Sequence, residues 1–207
     1  AIVVIPKQAA KGNPWIWRPA FFNAFPSVDK VLLEKGFHVV FYNLTHSYGN
    51  PRAVALGTKF YHYLTTYYSL SPKVTLEGFS RGGLYVLNWA YKNTDKIACI
   101  YLDAPVCDVF SWPGRKKAEL WNDLLKEWQL TDETMTSFKG NPIDNLEPLA
   151  KAGIPIISVC GDADQVVPLK ENMDVLRSRY LALGGIVELI IKPNVDHHPH
   201  SLENPEP

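Results

Sequence analysis

One serine in this sequence has the surroundings of a nucleophile. Ser80 lies in the segment Gly78-Phe79-Ser80-Arg81-Gly82, a G-x-S-x-G pattern that follows an apolar run and opens a helical pattern. A serine between a strand and a helix takes up a strained backbone, and the glycines beside it avoid clashes with neighbouring chain. This turn would project the hydroxyl above the strand end and face the Arg81 backbone N–H toward a developing oxyanion. The alternative is a nucleotide-binding turn, which the absence of G-x-G-x-x-G and of a P-loop lysine disfavours.

A serine nucleophile needs a base, and the base needs an orienting acid. Asp162 and Asp164 follow a later apolar run, and Asp103 follows another. Aspartates are also common in turns and helix caps, so the residues alone leave the acid open among these three. Glu77 stands beside the serine turn, where a buried polar partner is the simpler interpretation.

Histidines are concentrated near the end of the chain. Three of the six lie in Asp196-His197-His198-Pro199-His200. Such a cluster supplies either a base or ligands for a metal such as zinc. Adjacent histidines rarely point at one metal and no H-E-x-x-H motif is present, so we expect no metal and no cofactor.

Strand-like and helix-like segments alternate along the chain. This pattern predicts a three-layer α/β/α sandwich with a mostly parallel, doubly wound sheet in a single domain over 1–207. The stretch 105–148 is too long for an ordinary connection, and we interpret it as a lid over the active site. The predicted strands cover 2–5, 37–42, 74–76, 97–102, 155–160 and 187–191, and the first is expected to be buried on both faces. The predicted helices cover 27–35, 51–68, 81–92, 116–127 and 169–183. Ser27 is the expected cap of the first helix, and Asn50-Pro51 predicts the start of the second.

Composition excludes several classes of protein. The 207 residues are 46% hydrophobic, with 21 basic and 21 acidic side chains, so a packed core is expected and general attraction to nucleic acid or an anionic membrane is not. No apolar run is long enough to span a bilayer, and no signal peptide is recognised. The three cysteines, Cys99, Cys107 and Cys160, include no CxxC pair, and the sequence leaves one disulfide open. Cys99 and Cys160 lie in apolar, strand-like runs, which favours buried free thiols at those two positions.

Several segments together resemble the α/β-hydrolase superfamily, and within it a bacterial branch grouped with carbohydrate esterases. They are Asn-Pro-Trp-Ile-Trp-Arg at 13–18, Gly-Phe-Ser-Arg-Gly-Gly at 78–83, Asp-Ala-Pro-Val-Cys-Asp at 103–108 and His-His-Pro-His at 197–200. The resemblance runs along nearly the whole chain. Two strands usual at the start and a helix usual at the end are missing, so a trimmed or minimal domain is expected.

The resemblance implies a triad. Many family members carry G-x-x-D-x-x-V-P after the fifth strand, and its aspartate corresponds to Asp164. The family base follows the last strand within a Gly-His pair, but Asp196 stands where that glycine would be. Spacing favours His197 as the base, with His198 as the reserve.

The loop after the first predicted strand is the expected source of the second oxyanion donor. Trp15 N–H is the candidate there, since Pro14 has no N–H to donate. Possible substrate contacts are assigned to Trp17 and Arg18, and to His198 and His200. Packing of the tryptophans in the core and pairing of the arginine with an acid are the structural alternatives.

These features predict a serine esterase that acts through an acyl-enzyme, with a small-molecule or glycan ester, acetyl or methyl, as its substrate. A peptidase or thioesterase would use the same residues, and a non-catalytic binding protein would have the same fold. No nucleic acid partner and no membrane insertion are expected. The oligomeric state is open, and a periplasmic or secreted location is suggested by the resemblance alone.

Overall fold

The computed structural model describes residues 1–205 and contains one seven-stranded sheet with helices packed on it. The strands are β1 Ile2–Val4, β2 Trp15–Arg18, β3 His38–Phe41, β4 Val74–Phe79, β5 Ile97–Asp103, β6 Ile156–Gly161 and β7 Val187–Lys192. The helices are α1 Ser27–Glu34, α2 Pro51–Tyr67, α3 Gly82–Lys92, α4 Ala118–Trp128, α5 Glu147–Lys151 and α6 Met173–Ala182.

The sheet has the order β1-β3-β2-β4-β5-β6-β7. Only β1 runs antiparallel to its neighbour, and the pairs from β3 to β7 are all parallel. The carboxyl ends of the six parallel strands therefore share one edge, where the loops that follow them can meet. The sheet is mostly parallel, as the alternating pattern predicted, and the chain has the α/β-hydrolase fold that the resemblance implied.

Each face of the sheet has its own apolar cluster. The larger cluster joins strand residues such as Leu76 and Ile100 to the helices α2, α3, α5 and α6. On the other face, Phe79, Tyr101 and Val159 pack with Val28 of α1. Because side chains alternate along a strand, the even positions of β4 face the first cluster and its odd positions, Glu77 included, face α1.

One strand was missed by the sequence analysis. The segment 7–19 was interpreted as the loop that carries an oxyanion donor, yet β2 lies within it and pairs with both β3 and β4. A four-residue strand flanked by Pro14 and Pro19 gives little periodic signal, and its only charged residue, Arg18, is buried against partners that are distant in the sequence. β1, which was expected to be buried on both faces, is instead a partly exposed edge strand.

Local signals located other elements closely. Asn50 caps α2 by accepting a hydrogen bond from the Ala53 N–H at 2.8 Å, and Pro51 occupies the first turn. Gly36 follows α1 with a φ of +87°, and a Cβ there would lie 2.5 Å from the Ala10 nitrogen. Ser27 was expected to cap α1, but it is the first helical residue and Pro26 occupies the cap position.

Part of the stretch 105–148 forms an apolar cluster, separate from the two on the sheet, together with residues of neighbouring segments. Trp112 and Trp121 are buried there with Leu124 and Met135, and they pack against Leu84 of α3. The tryptophans therefore hold the insertion together. Its role as a lid stays a prediction.

Two further features concern the described part of the chain. Over residues 1–205, no helix has both the length and the apolar character needed to cross a bilayer. All three cysteines are free thiols; Cys107 and Cys160 are buried and Cys99 is partly exposed.

Candidate active site

Ser80 occupies a sharp turn between β4 and α3. Its φ is +49°, a left-handed value that is strained for a residue with a side chain. Two hydrogen bonds of 2.9 Å hold the turn, one from the Ser80 N–H to the Asp103 carbonyl and one from the Val106 N–H to the Ser80 carbonyl. A Cβ at Gly78 would lie 3.0 Å from Leu102 and 3.2 Å from the Gly83 Cα, so the turn leaves no room for a side chain there.

His197 lies directly against this serine. Its Nε2 is 2.9 Å from Ser80 Oγ, and its Nδ1 is 2.7 Å from Asp164 Oδ2. The imidazole is 7% exposed and thus largely shielded from water. Because a carboxylate only accepts, Nδ1 carries a proton, which leaves the Nε2 lone pair for the serine hydroxyl.

Asp164 is oriented by the loop that follows β6. Its Oδ1 accepts hydrogen bonds from the N–H groups of Val166 and Val167, each at 2.8 Å. With that oxygen occupied, Oδ2 is left for the imidazole. The structure thus joins Ser80, His197 and Asp164 in one hydrogen-bonded chain.

Two other aspartates support these loops. Asp162, the alternative acid, accepts the Asn194 N–H at 2.6 Å and does not contact the imidazole in the described structure. Asp196 was noted only as a departure from the family pattern. Its Oδ1 accepts the N–H groups of Gln165 at 2.9 Å and His197 at 2.7 Å, so it fastens the acid loop to the histidine loop. These backbone hydrogen bonds lower the pKa of Asp196.

A second histidine–carboxylate pair lies beside the first. His200 Nδ1 is 2.6 Å from Asp103 Oδ1, and Asp103 Oδ2 accepts the Tyr101 hydroxyl at 2.8 Å and the Ser201 N–H at 2.7 Å. Burial, followed by the Asp103 charge, raises the pKa of Tyr101 well above its ordinary value. Asp103 was an alternative acid in the sequence analysis, and the structure pairs it with a different histidine.

His198, the reserve base, is exposed, and the Ser80 hydroxyl contacts His197 instead. Its ring stacks on Phe25 with a centroid separation of 5.7 Å and an angle of 16° between the planes. Its pKa is lowered, first by partial burial and then by the neighbouring His200 and His197. A substrate contact at His198 stays a prediction.

Three assignments near β2 need correction. Trp15 opens β2, and since Ile16 pairs with Thr75, roughly 17 Å of strand separates that end of the sheet from Ser80. Its N–H therefore cannot serve as an oxyanion donor, and its indole donates to the Ser71 carbonyl at 2.8 Å. Trp17 is fully buried and packs edge-on against Tyr85 and Trp89, out of reach of a substrate.

Arg18 likewise serves the core rather than a substrate. It is 1% exposed, forms an ion pair with Asp29 of α1 and lies 3.8 Å from Glu77. Its guanidinium also covers the Phe79 ring at 4.6 Å and donates to the Ala24 carbonyl at 2.9 Å. Burial raises the pKa of Glu77 well above its ordinary value, and Arg18 opposes that shift.

The loop that follows β2 occupies the place expected of the second oxyanion donor. A Cβ at Gly82 would lie 3.0 Å from the Ala20 Cβ, so this loop contacts the start of α3. Arg81, whose side chain lies 5.4 Å from the Phe21 ring centre, is the N-cap residue of the same helix. The oxyanion donor was assigned to Trp15 because the donor loop was expected after the first strand. The loop that contacts the start of α3 follows β2 instead.

Solved structures similar to this chain have low sequence identity to it. A puromycin hydrolase matches with a TM-score of 0.74 and 15% identity over 95% of this chain. Dipeptidyl peptidase 4 from Porphyromonas gingivalis matches with 0.72 and 14% over 94%. An alpha-beta serine hydrolase homologue from Coxiella burnetii matches with 0.56 and 17% over 95%.

The lengths of these proteins differ from that of the chain. It spans 33% of the puromycin hydrolase and 30% of the dipeptidyl peptidase, but 82% of the Coxiella protein. No curated protein sequence matches the chain significantly. The Peptidase_S9 model, described as the prolyl oligopeptidase family, matches residues 58–205, which include the serine turn, the acid loop and the histidine loop. This match covers well over half of the chain, which therefore belongs to the prolyl oligopeptidase family of serine hydrolases.

Proposed function

We propose that this chain is the catalytic domain of a serine peptidase that cleaves short peptides or aminoacyl amides through an acyl-enzyme. The observation that carries the proposal is the hydrogen-bonded chain from Ser80 through His197 to Asp164, with distances of 2.9 Å and 2.7 Å. Both distances are within reach for direct proton transfer. The chain of contacts lies within the segment that matches the family.

The mechanism follows from the polarity of each contact. His197 Nε2 accepts the Ser80 proton while the serine oxygen attacks the substrate carbonyl carbon. Asp164 holds the imidazole in its reactive tautomer and stabilises its charged form. His197 then gives the proton to the leaving amine, the C–N bond breaks, and a water molecule deprotonated by the same imidazole releases the acid.

The negative oxygen of the tetrahedral intermediate needs donors in a fixed position. The Arg81 N–H at the start of α3 is the first one proposed, because the helix N-terminus stabilises negative charge there. The second comes from the backbone of the loop 19–22, which replaces Trp15 in this role. Contact of Ala20 with Gly82 supports this placement.

The choice of a peptide or amide over a carbohydrate ester rests on the comparisons. The matching family is named for an oligopeptidase, and two similar structures are named as a dipeptidyl peptidase and a puromycin hydrolase. The initial expectation of a carbohydrate ester has no such support. Since the chain spans about a third of those two proteins, its substrate remains a proposal.

The nucleophile can be tested by covalent labelling. A fluorophosphonate probe should label the protein at Ser80, and Ser80→Ala should abolish labelling. Ser47→Ala is a matched control, because Ser47 is also partly buried and lies outside the site. Labelling that persists in Ser80→Ala would contradict the proposal.

The bond that is cleaved can be tested with matched substrates. Peptidyl 4-nitroanilides and 4-nitrophenyl esters of the same acyl groups, including Ala and Gly-Pro, should be compared with acetylated and methyl-esterified sugars. A peptidase is expected to cleave the anilides in a Ser80-dependent way and to leave the sugars intact. Cleavage of the sugars alone would replace the peptidase proposal with the esterase expected from the sequence.

A further inference from the structure

Three histidine side chains lie close together beside Ser80. His197, His198 and His200 each bring one ring nitrogen to within 4.8 Å of the others. Their ring centroids are separated by 4.8 to 5.0 Å, and the planes are steeply inclined to one another. One nitrogen of each ring therefore lies near one nitrogen of each of the other two rings. From sequence alone, adjacent histidines are expected to diverge.

Two of the three rings are already oriented as metal ligands usually are. A metal-binding histidine commonly donates its second N–H to a carboxylate, which fixes the ring and its tautomer. His197 donates from Nδ1 to Asp164 at 2.7 Å, and His200 donates from Nδ1 to Asp103 at 2.6 Å. For both rings the nitrogen left to bind a metal is Nε2. The catalytic mechanism uses the first pair and has no use for the second.

Aromatic contacts hold the His200 ring in place, and one of them also involves His198. Phe79 stacks on His200 with a centroid separation of 5.3 Å, and Phe25 lies 5.3 Å from His200 on an edge-to-face contact. Phe25 also stacks on His198, at 5.7 Å. His197 and His200 are each 7% exposed, whereas His198 is exposed and has room to adjust.

We propose that His197, His198 and His200 bind a zinc ion that reversibly inactivates the hydrolase. Tetrahedral zinc with Zn–N bonds near 2.05 Å holds its nitrogens about 3.4 Å apart. The three nitrogens, which lie within 4.8 Å of one another, must therefore approach by up to about 1.4 Å, and a shift of the exposed His198 contributes to that approach. Three neutral imidazoles leave a fourth position for water or for Ser80 Oγ, which is 2.9 Å from His197 Nε2. Imidazole sites suit zinc better than magnesium or calcium.

Inactivation follows from the shared lone pair. The lone pair of His197 Nε2 that would coordinate zinc is the one that accepts the Ser80 proton. A zinc-bound His197 cannot act as a base, so metal binding and nucleophile activation exclude each other. This consequence rests on the proposed function, whereas zinc binding itself does not.

Binding should be measured first in Ser80→Ala, which keeps the three imidazoles and removes hydrolysis. Titration of this protein with zinc chloride, followed by calorimetry and by metal analysis after gel filtration, should give one ion per chain. His198→Gln in the same background should weaken binding by at least about tenfold, and the exposed position keeps the fold intact. His46→Gln and His62→Gln are matched controls, since both are exposed histidines outside the cluster. Absence of binding, or equal weakening by the controls, would overturn the site.

Inhibition should be measured on the wild-type protein by fluorophosphonate labelling. Zinc should slow labelling, and EDTA should restore the metal-free rate. His198→Gln, compared with its own metal-free rate, should need at least about ten times more zinc. A protein that is unlabelled without metal contradicts the proposed hydrolase, while zinc binding to Ser80→Ala is judged separately. Labelling that is unaffected by bound zinc would overturn the inactivation.

Discussion

Two histidine–aspartate pairs stand side by side in this molecule, and they differ in what lies beyond the histidine. His197 and Asp164 are 2.7 Å apart, and His200 and Asp103 are 2.6 Å apart. All four side chains are buried. Only His197 reaches a nucleophile, because Ser80 Oγ lies 2.9 Å from its Nε2. The pairing of an imidazole with a carboxylate therefore does not by itself identify a catalytic pair.

The carboxylates also differ in their other partners. Asp164 accepts two backbone N–H groups from its own loop, which orient it without linking it to another strand. Asp103 ends β5 and accepts from Tyr101 on the same strand and from Ser201 of the terminal segment. The first pair is placed for the proton transfer of the proposed mechanism, and the second holds the histidine loop to the sheet.

Removal of the first imidazole should have the largest effect. His197→Ala is expected to lower kcat/KM by about 10⁶-fold, since the serine loses its base. Steady-state rates on the best substrate from the anilide and ester panel would measure this. His200→Ala, with circular dichroism to check folding, is the matched comparison and should lose far less. Equal losses in the two variants would erase the distinction between the pairs.

Asp164→Asn is expected to have the next largest effect, a fall in kcat of about 10⁴-fold. The amide can present its NH₂ group to Nδ1, which favours the tautomer whose Nε2 carries the proton. Fluorophosphonate labelling rates and kcat should fall together, while thermal melting changes little. Asp162→Asn is the control, because the Asp162 carboxylate accepts the Asn194 N–H, whereas the His197 imidazole pairs with Asp164. A large activity loss in Asp162→Asn instead would move the acid to that residue.

Asp103→Asn should affect stability more than chemistry. The change leaves a buried donor of His200, Tyr101 or Ser201 without its charged acceptor, and breaking such a buried pair costs about 3–5 kcal/mol. Denaturant unfolding should show this loss. Displacement of the histidine loop should lower kcat/KM by no more than about 10²-fold. An activity loss as large as that of Asp164→Asn would show that the second pair also takes part in catalysis.

Tyr101→Phe should have the smallest effect. It removes one hydrogen bond to the Asp103 carboxylate, for an expected cost of about 1.5–3 kcal/mol in the free energy of unfolding. The rate on the same substrate should stay close to wild type. Tyr63→Phe, at an exposed tyrosine of α2, provides the reference for loss of a phenol hydroxyl. A rate change larger than the stability change would connect Tyr101 to the reaction.

Much of the secondary structure was predictable from local sequence. Asn50-Pro51 predicted the start of α2, and the apolar runs predicted six of the seven strands. The G-x-S-x-G pattern located a turn that only small residues permit, because Gly78 faces Leu102 and Gly83 at contact distance. These features depend on residues close together in the chain, so a short window of sequence contains their physical cause.

The strand β2 and the contacts of its side chains could not be predicted from a short window of sequence. Trp17 and Arg18 have the appearance of substrate contacts until their partners are known, and those partners lie on α1, α3 and β4. An arginine in a strand is buried only where distant acids meet it, and the sequence does not indicate which acids do so. The strand was therefore taken for a loop, and the oxyanion donor was placed one element too early.

The sequence by itself determined the fold class, the serine turn and the set of residue types available for a triad. The tertiary structure decided which histidine meets which aspartate. His197 and His200 are three residues apart, yet they meet different aspartates. His200 pairs with Asp103 at the carboxyl end of β5, and His197 pairs with Asp164 in the loop that follows β6. That choice depends on the register of neighbouring parallel strands and on the path of the last loop, which are properties of the packed sheet and not of any short segment.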